Sequence, residues 1–252
     1  MLELKGVAKS FGNLSAVDDV SANVAAQTIT GLIGPNGAGK STLFSIIAGE
    51  LRPDRGEIHF QGRHLQKAAP HKIFQDGLVR TFQIPRPFTR MSVLENMMVA
   101  PLHQSGEDFW KNWLFPSRVR AEEIRWRERA MHILEFVDLA AKAHELAGTL
   151  SGGQQKLLEL ARVLVNEPQM ILLDEPAAGV NASLLETLMD KIVELHRQGV
   201  TFLIIEHNMD LIMRLCAPIL VMSQGQLIFE GTSESVQRNP LVLDAYLGDV
   251  SA

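Results

Sequence analysis

The segment Gly34-Pro35-Asn36-Gly37-Ala38-Gly39-Lys40-Ser41 restricts what this chain can fold into more than any other feature. Ahead of it, Thr28 to Ile33 sets Ile29, Leu32 and Ile33 among small neighbours, the pattern of a strand buried on both faces of a parallel sheet. Behind it, Ser41 to Ala48 reads as a short helix closed by Gly49. Glycines let backbone N–H groups turn inward around an anion, and the positive end of the following helix points at the same spot. Strand, glycine loop and helix together match a phosphate-binding loop. Lys40 is expected to reach the β- and γ-phosphates of a nucleotide and the Ser41 hydroxyl to complete a Mg²⁺ shell, with Gly34, Pro35, Asn36, Gly37, Ala38, Gly39 and Thr42 lining the phosphates.

Strand and helix patterns alternate around this loop. Leu2 to Leu4 and Val20 to Val24 alternate as half-buried strands, and Glu57 to Phe60 is a strand between Gly56 and Gly62. From Ser92 to Glu167 the pattern is helical: Ser92 and Glu95 make a capping box, and Ala121 to Asp138 carries Ile124, Met131, Leu134 and Val137 at a helical period. Strands return at Met170–Leu173, Thr201–Ile205, Ile219–Met222 and Leu227–Phe229, with a helix from Leu184 to His196 and short helices to close. The layout is an α/β core at 1–88 and 168–252 interrupted by a helical subdomain at 89–167. A chain of 252 residues accommodates this as one domain with an insertion. No stretch approaches the ~20 apolar residues of a membrane span, and the N-terminus lacks the pattern of a secretory signal. A single cysteine, Cys216, excludes an internal disulfide and a cysteine zinc cluster. The net charge of −5 argues against a nucleic-acid binder.

Two further segments carry chemistry. Met170 to Pro176 is an apolar strand ending in Asp174 and Glu175. Ligands of open α/β sheets sit at such strand ends, so Asp174 is expected to hold Mg²⁺ and Glu175 to act as general base toward water. Leu150-Ser151-Gly152-Gly153-Gln154 opens a helix running from Gln155 to Asn166 and forms a second anion-binding terminus. One nucleotide does not need two such termini in one chain, so Ser151, Gly152, Gly153 and Gln154 invite a nucleotide held elsewhere.

Leu-Ser-Gly-Gly-Gln followed after 20 positions by Asp174 resembles the ATPase domain of ABC proteins. The resemblance implies a P-loop NTPase core: a mostly parallel sheet with flanking helices, N-terminal antiparallel strands and an inserted helical subdomain. It also implies a head-to-tail dimer, each ATP lying between one phosphate loop and the other chain's Leu-Ser-Gly-Gly-Gln segment. By the same resemblance Gln83 touches Mg²⁺ and the attacking water, His207 contacts the γ-phosphate, and Phe11 stacks on adenine. Alone, Gln83 is a polar loop residue, His207 a strand-end histidine and Phe11 a core aromatic. The other seven histidines show no metal-ligand spacing and read as surface or packing residues. One position departs from the family pattern: Asn181 stands where an aspartate is usual, an amide able to hydrogen-bond across a dimer without charge.

Arg80-Thr81-Phe82-Gln83 with Pro87-Phe88, Glu175 to Gly179, Glu206 to Asp210 and the ending Ala245-Tyr246-Leu247-Gly248 resemble the LivG-type ATPase of branched-chain amino acid importers, in which Asn181 is itself usual. The segment Gln104 to Trp126 also fits, because lipopolysaccharide-transport ATPases are shorter there. Its Trp110, Trp113 and Trp126, among Lys111, Arg118 and Arg120, suit either a membrane surface or, as the plainer reading, packing of the helical subdomain. The implied assembly has two transmembrane permease subunits, a second related ATPase subunit (or a homodimer in isolation) and, indirectly, an extracytoplasmic solute-binding protein, with this chain peripheral on the cytoplasmic face of the plasma membrane. The alternatives are a soluble non-transport ABC ATPase and the ATPase of a lipopolysaccharide, urea or amide transporter.

Overall fold

The computed structural model describes residues 1–81, 87–102 and 116–247. The chain divides into two compact units, one of Met1–Gln83, Gln169–Ala178 and Ile192–Ala252, the other of Ile84–Pro168 and Gly179–Lys191.

Among the described residues the first unit contains two sheets. Strands β1 (Leu2–Phe11), β2 (Leu14–Val24), β4 (Arg55–Phe60) and β5 (Arg63–His64) form an antiparallel sheet in the order β2-β1-β4-β5. Strands β3 (Ile29–Ile33), β6 (Leu78–Arg80), β7 (Met170–Asp174), β8 (Thr201–Ile205), β9 (Ile219–Ser223) and β10 (Gln226–Gly231) form the other, in the order β10-β9-β3-β8-β7-β6. All its pairings are parallel except β9 with the edge strand β10. Every residue of β3, β7 and β8 is buried, which is why these strands read as unbroken apolar runs. β1 instead alternates: Leu2 and Leu4 point into the core, and Glu3 and Lys5 face out.

One apolar cluster joins Leu2, Val7 and Val20 to Phe44 and Ile47 of helix α1 (Lys40–Ile47) and to Leu172, Leu203 and Leu220 of the parallel sheet. Phe44 and Ile47 are fully buried, each contributing about 1.5–3 kcal/mol by the area rule. β1 and β2 are much longer than their alternating stretches predict, because register shifts between Leu4 and Val7 and between Val7 and Lys9 break the alternation. Helix α2 (Pro70–Gln75) was not expected; six residues beginning with proline are too short to show a period.

The second unit is helical, with α3 (Val93–Met98), α4 (Pro116–Phe136), α5 (Gly152–Leu164) and the start of α6 (Ala182–Arg197). The Ser92–Glu95 capping box forms as expected. Fully buried Asn96 holds the preceding loop, its Oδ1 accepting from Phe88 N at 2.8 Å and its Nδ2 donating to Phe88 O at 3.0 Å and Ser92 O at 2.9 Å. α4 begins earlier than the expected Ala121 and ends before Val137 and Asp138; Ile124 lies on its exposed side, while Val119, Ala130 and Leu134 are buried. The first unit closes with α7 (Met209–Leu215), α8 (Ser233–Arg238) and α9 (Pro240–Leu247). Among the described residues no helix is long and apolar enough to cross a membrane.

Candidate functional site: a phosphate loop beside paired carboxylates

Three neighbouring parallel strands end in one row, Leu32 of β3 beside Ile205 of β8 and Ile205 beside Asp174 of β7. Parallel strands present all their carboxyl ends to one side, so the loops following β3, β7 and β8 converge there.

The loop after β3 needs its glycines. A Cβ on Gly34 (φ 150°) would lie 2.0 Å from Met222 O, and one on Gly39 (φ 96°) would lie 2.1 Å from Ala16 O. Gly39 then caps α1, whose first turn holds no acidic residue to neutralise the helix's positive end. Lys40 is buried, and its Nζ donates to Gly34 O at 2.7 Å and Pro35 O at 2.9 Å. Burial pushes the Lys40 ammonium below the usual lysine range, and the charges of Glu175 and Asp174 work in the opposite direction. Asn36, Gly37 and Ser41 are exposed, Pro35 and Thr42 half-buried, and Ala38 buried.

At the end of β7, Asp174 is buried against Arg80, whose Nη2 lies 2.7 Å from its Oδ2. Arg80 Nη1 also donates to Ser45 Oγ at 2.8 Å and to Glu50 Oε2 at 2.6 Å, so one guanidinium links β6, β7 and α1. Glu175 has φ 49°, left-handed for a residue with a side chain. Such a conformation costs on the order of 1–3 kcal/mol and persists only where surroundings enforce it. Glu175 N donates to Ile205 O at 2.9 Å, Ala178 N donates to Glu175 O at 3.1 Å, and Glu175 Oε1 lies 3.0 Å from His207 Nε2.

Glu206, between β8 and His207, has a part that motif reading missed. It is 4% exposed; its Oε1 accepts from Ala177 N at 2.6 Å, and its Oε2 accepts from His207 N at 2.9 Å and Asn208 N at 3.2 Å. One carboxylate thus fastens the loop carrying Glu175 to the loop carrying His207. The available signal was period-two alternation past a fully apolar strand, which turns position 206 inward when 207 faces out.

The structure therefore brings the phosphate loop, Asp174, Glu175 and His207 together in the first unit. Phe11 belongs to that unit but is 48% exposed at the β1–β2 turn, with Lys9 Nζ 5.8 Å from its ring centroid, which removes the core-aromatic reading. Ser151 to Gln154 lie in the second unit. There Ser151 Oγ accepts from Gln154 N at 3.3 Å and Gln154 Oε1 accepts from Ser151 N at 3.0 Å, a capping box that starts α5 at Gly152 rather than Gln155. This cap uses one lone pair and leaves the hydroxyl proton able to donate. Asn181 Oδ1 accepts from Leu184 N at 2.9 Å and Ser183 Oγ at 3.0 Å, capping its own helix α6. Gln83 lies outside the described residues, as do Trp110, Trp113 and Lys111; Trp126, on α4, is half-buried with Nε1 3.4 Å from Glu122 Oε1.

A cradle that a Cβ would fill, a buried ammonium and two adjoining carboxylates suit a nucleoside triphosphate with a hard, oxygen-preferring cation. Residues 17–178 match the ABC transporter family model, and residues 226–252 match that of the branched-chain amino acid ATP-binding cassette transporter. A probable branched-chain amino acid transport ATP-binding protein LivG of Archaeoglobus fulgidus is 40% identical, with 98% of this chain and 95% of that relative covered. The high-affinity branched-chain amino acid transport ATP-binding protein BraF of Pseudomonas aeruginosa is likewise 40% identical, over 99% of this chain and 98% of the relative. A crystal structure of a nucleotide-free ATP-binding cassette from an ABC transporter superposes with a TM-score of 0.85 at 38% identity, covering 98% of both chains. With the family model spanning more than half its length and full-length relatives at this identity, the chain belongs to the ATP-binding subunits of ABC transporters.

Proposed function

We propose that this chain is the ATP-hydrolysing subunit of a branched-chain amino acid importer. The observation that carries the chemistry is the Glu175 carboxylate, held in a left-handed backbone with Oε1 3.0 Å from His207 Nε2, close enough to Lys40 for its charge to act on the ammonium. Glu175 takes the proton of the attacking water as general base, and His207 orients that carboxylate and contacts the γ-phosphate. Lys40 and the backbone N–H groups of Gly34 and Asn36 to Thr42 bind the phosphates, with Pro35 shaping the loop between them, Phe11 stacks on adenine, and Ser41, Asp174 and Gln83 would hold Mg²⁺. Mg²⁺, when bound, neutralises charge on the β- and γ-phosphates. Removing a general base typically costs about 10²–10⁴ in rate, so Glu175→Gln should retain ATP in an equilibrium titration while turnover collapses. Wild-type turnover in the purified variant refutes the assignment.

The second unit supplies the other half of the proposal. Ser151, Gly152, Gly153 and Gln154 would close over a nucleotide held by a second ATPase chain, the Ser151 proton and the first amides of α5 facing its γ-phosphate. Ser151→Arg should then block ATP-driven dimer formation in analytical ultracentrifugation and leave single-chain binding intact; normal closure refutes the shared site. Asn181 is proposed to meet the partner chain through its amide. We further propose two permease subunits as membrane partners, a solute-binding protein acting through them, and a peripheral position on the cytoplasmic face of the membrane. Branched-chain substrate is supported by the matched relatives and by the C-terminal family model. Loss of radiolabelled leucine uptake in a deletion strain tests it, and unchanged uptake refutes it.

A further inference from the structure

We propose that Glu57, His59 and His64 form a binding site for a divalent transition-metal ion of the Zn²⁺ class, on the outer face of the antiparallel sheet. The site is built by a hairpin. Gln61 (φ 52°) and Gly62 (φ 77°) both adopt positive φ, the two-residue turn whose twist suits paired strands. That turn sets the register so that His59 of β4 lies directly opposite His64 of β5. Their ring centroids are 4.1 Å apart. Glu57, two residues before His59, faces the same side by strand alternation. The candidate ligand atoms of the three side chains all lie within 4.8 Å of one another.

These spacings suit the chemistry. Ligands about 2.0–2.2 Å from a tetrahedral Zn²⁺ stand roughly 3.3–3.5 Å apart, so binding draws together ligand atoms that already lie within 4.8 Å of one another. His59 Nε2 lies 3.6 Å from Glu57 Oε2, and its Nδ1 lies 3.9 Å from Glu3 Oε2, on the far side of the ring. Among the described residues that Nδ1 is buried without a hydrogen-bond partner. Glu3 is the residue paired with His59 across β1, and Lys5 Nζ holds its other oxygen at 3.1 Å. A metal-ligating imidazole usually gives its second N–H to a carboxylate, which fixes the ring and raises its basicity. Glu3, 3.9 Å from that Nδ1, is the carboxylate nearest to hand for that role once the ring is drawn toward it. Two imidazoles and a carboxylate favour Zn²⁺, Ni²⁺ or Cu²⁺ over Mg²⁺ or Ca²⁺, which prefer all-oxygen sites. Water would complete the fourth position.

The test is a Zn²⁺ titration of the full chain against a chromophoric chelator, repeated with Co²⁺ to read coordination geometry from the visible spectrum. Wild type should take up one equivalent with a tetrahedral Co²⁺ spectrum. His59→Gln and His64→Gln should each weaken Zn²⁺ binding by at least ~10-fold, the lower bound for losing even an outer-shell partner, while His132→Gln on α4 leaves it unchanged. All three variants should keep the wild-type denaturation midpoint measured without zinc. Wild-type Zn²⁺ affinity in both His59→Gln and His64→Gln overturns the proposal, as does zinc-edge anomalous density centred on the Glu175–His207 pair instead of between His59 and His64.

Discussion

Glu206→Gln asks whether one buried carboxylate fastens the two loops that carry catalysis. In the wild type Oε1 accepts from Ala177 N at 2.6 Å, and Oε2 accepts from His207 N and Asn208 N at 2.9 and 3.2 Å. Glutamine has one oxygen. Keeping it on the His207–Asn208 side turns the NH₂ toward the Ala177 N–H, donor against donor. A hydrogen bond to a charged acceptor is worth about 1.5–3 kcal/mol, and Ala177 is only half-buried, so water recovers part of the loss. The expected destabilisation is about 1–3 kcal/mol, read as a lower urea midpoint at unchanged slope. Ala177 lies two residues beyond Glu175, so loosening it also frees the carboxylate from His207. Each 1.4 kcal/mol of lost positioning is worth about tenfold in rate. Turnover should therefore fall on the order of 10-fold with ATP affinity preserved. Glu206→Ala, which frees all three amides, should be the more damaged variant. A glutamine variant with wild-type midpoint and wild-type turnover refutes the reasoning.

Further outcomes follow from contacts elsewhere in the fold. Arg80→Met leaves the buried Asp174 carboxylate without its ion partner, which should cost about 3–5 kcal/mol in urea unfolding. Ser151→Ala removes the α5 cap and should lower stability by about 0.5–2 kcal/mol even without nucleotide, measurable by calorimetry. Burial, helped by the Glu206 charge, pushes the Cys216 thiol from 9.0 up to about 12. The folded state thus holds a proton that the unfolded state releases above pH 9.0; the stability is fully present below that pH and is lost as pH rises toward about 12. Unfolding free energy measured across this range should fall more steeply for wild type than for Cys216→Ala, and parallel slopes would contradict the burial argument.

What the amino-acid order determines unaided is local. Unbroken apolar runs specify β3, β7 and β8, since a strand covered on both faces has no wet side to mark. The Ser92–Glu95 capping box is legible because donor and acceptor lie three positions apart. The phosphate loop is legible because its backbone conformation needs glycine at Gly34 and Gly39. Each of these interactions closes within a few residues. Tertiary structure alone decided the rest: that β8 lies between β3 and β7, that Arg80 reaches Asp174 from β6, that Glu206 reaches Ala177, and that His59 and His64, five apart in sequence, face each other across a hairpin. Strand order and register arise from how the apolar faces pack together, and neither residue periodicity nor motif spacing records which distant strand becomes the neighbour.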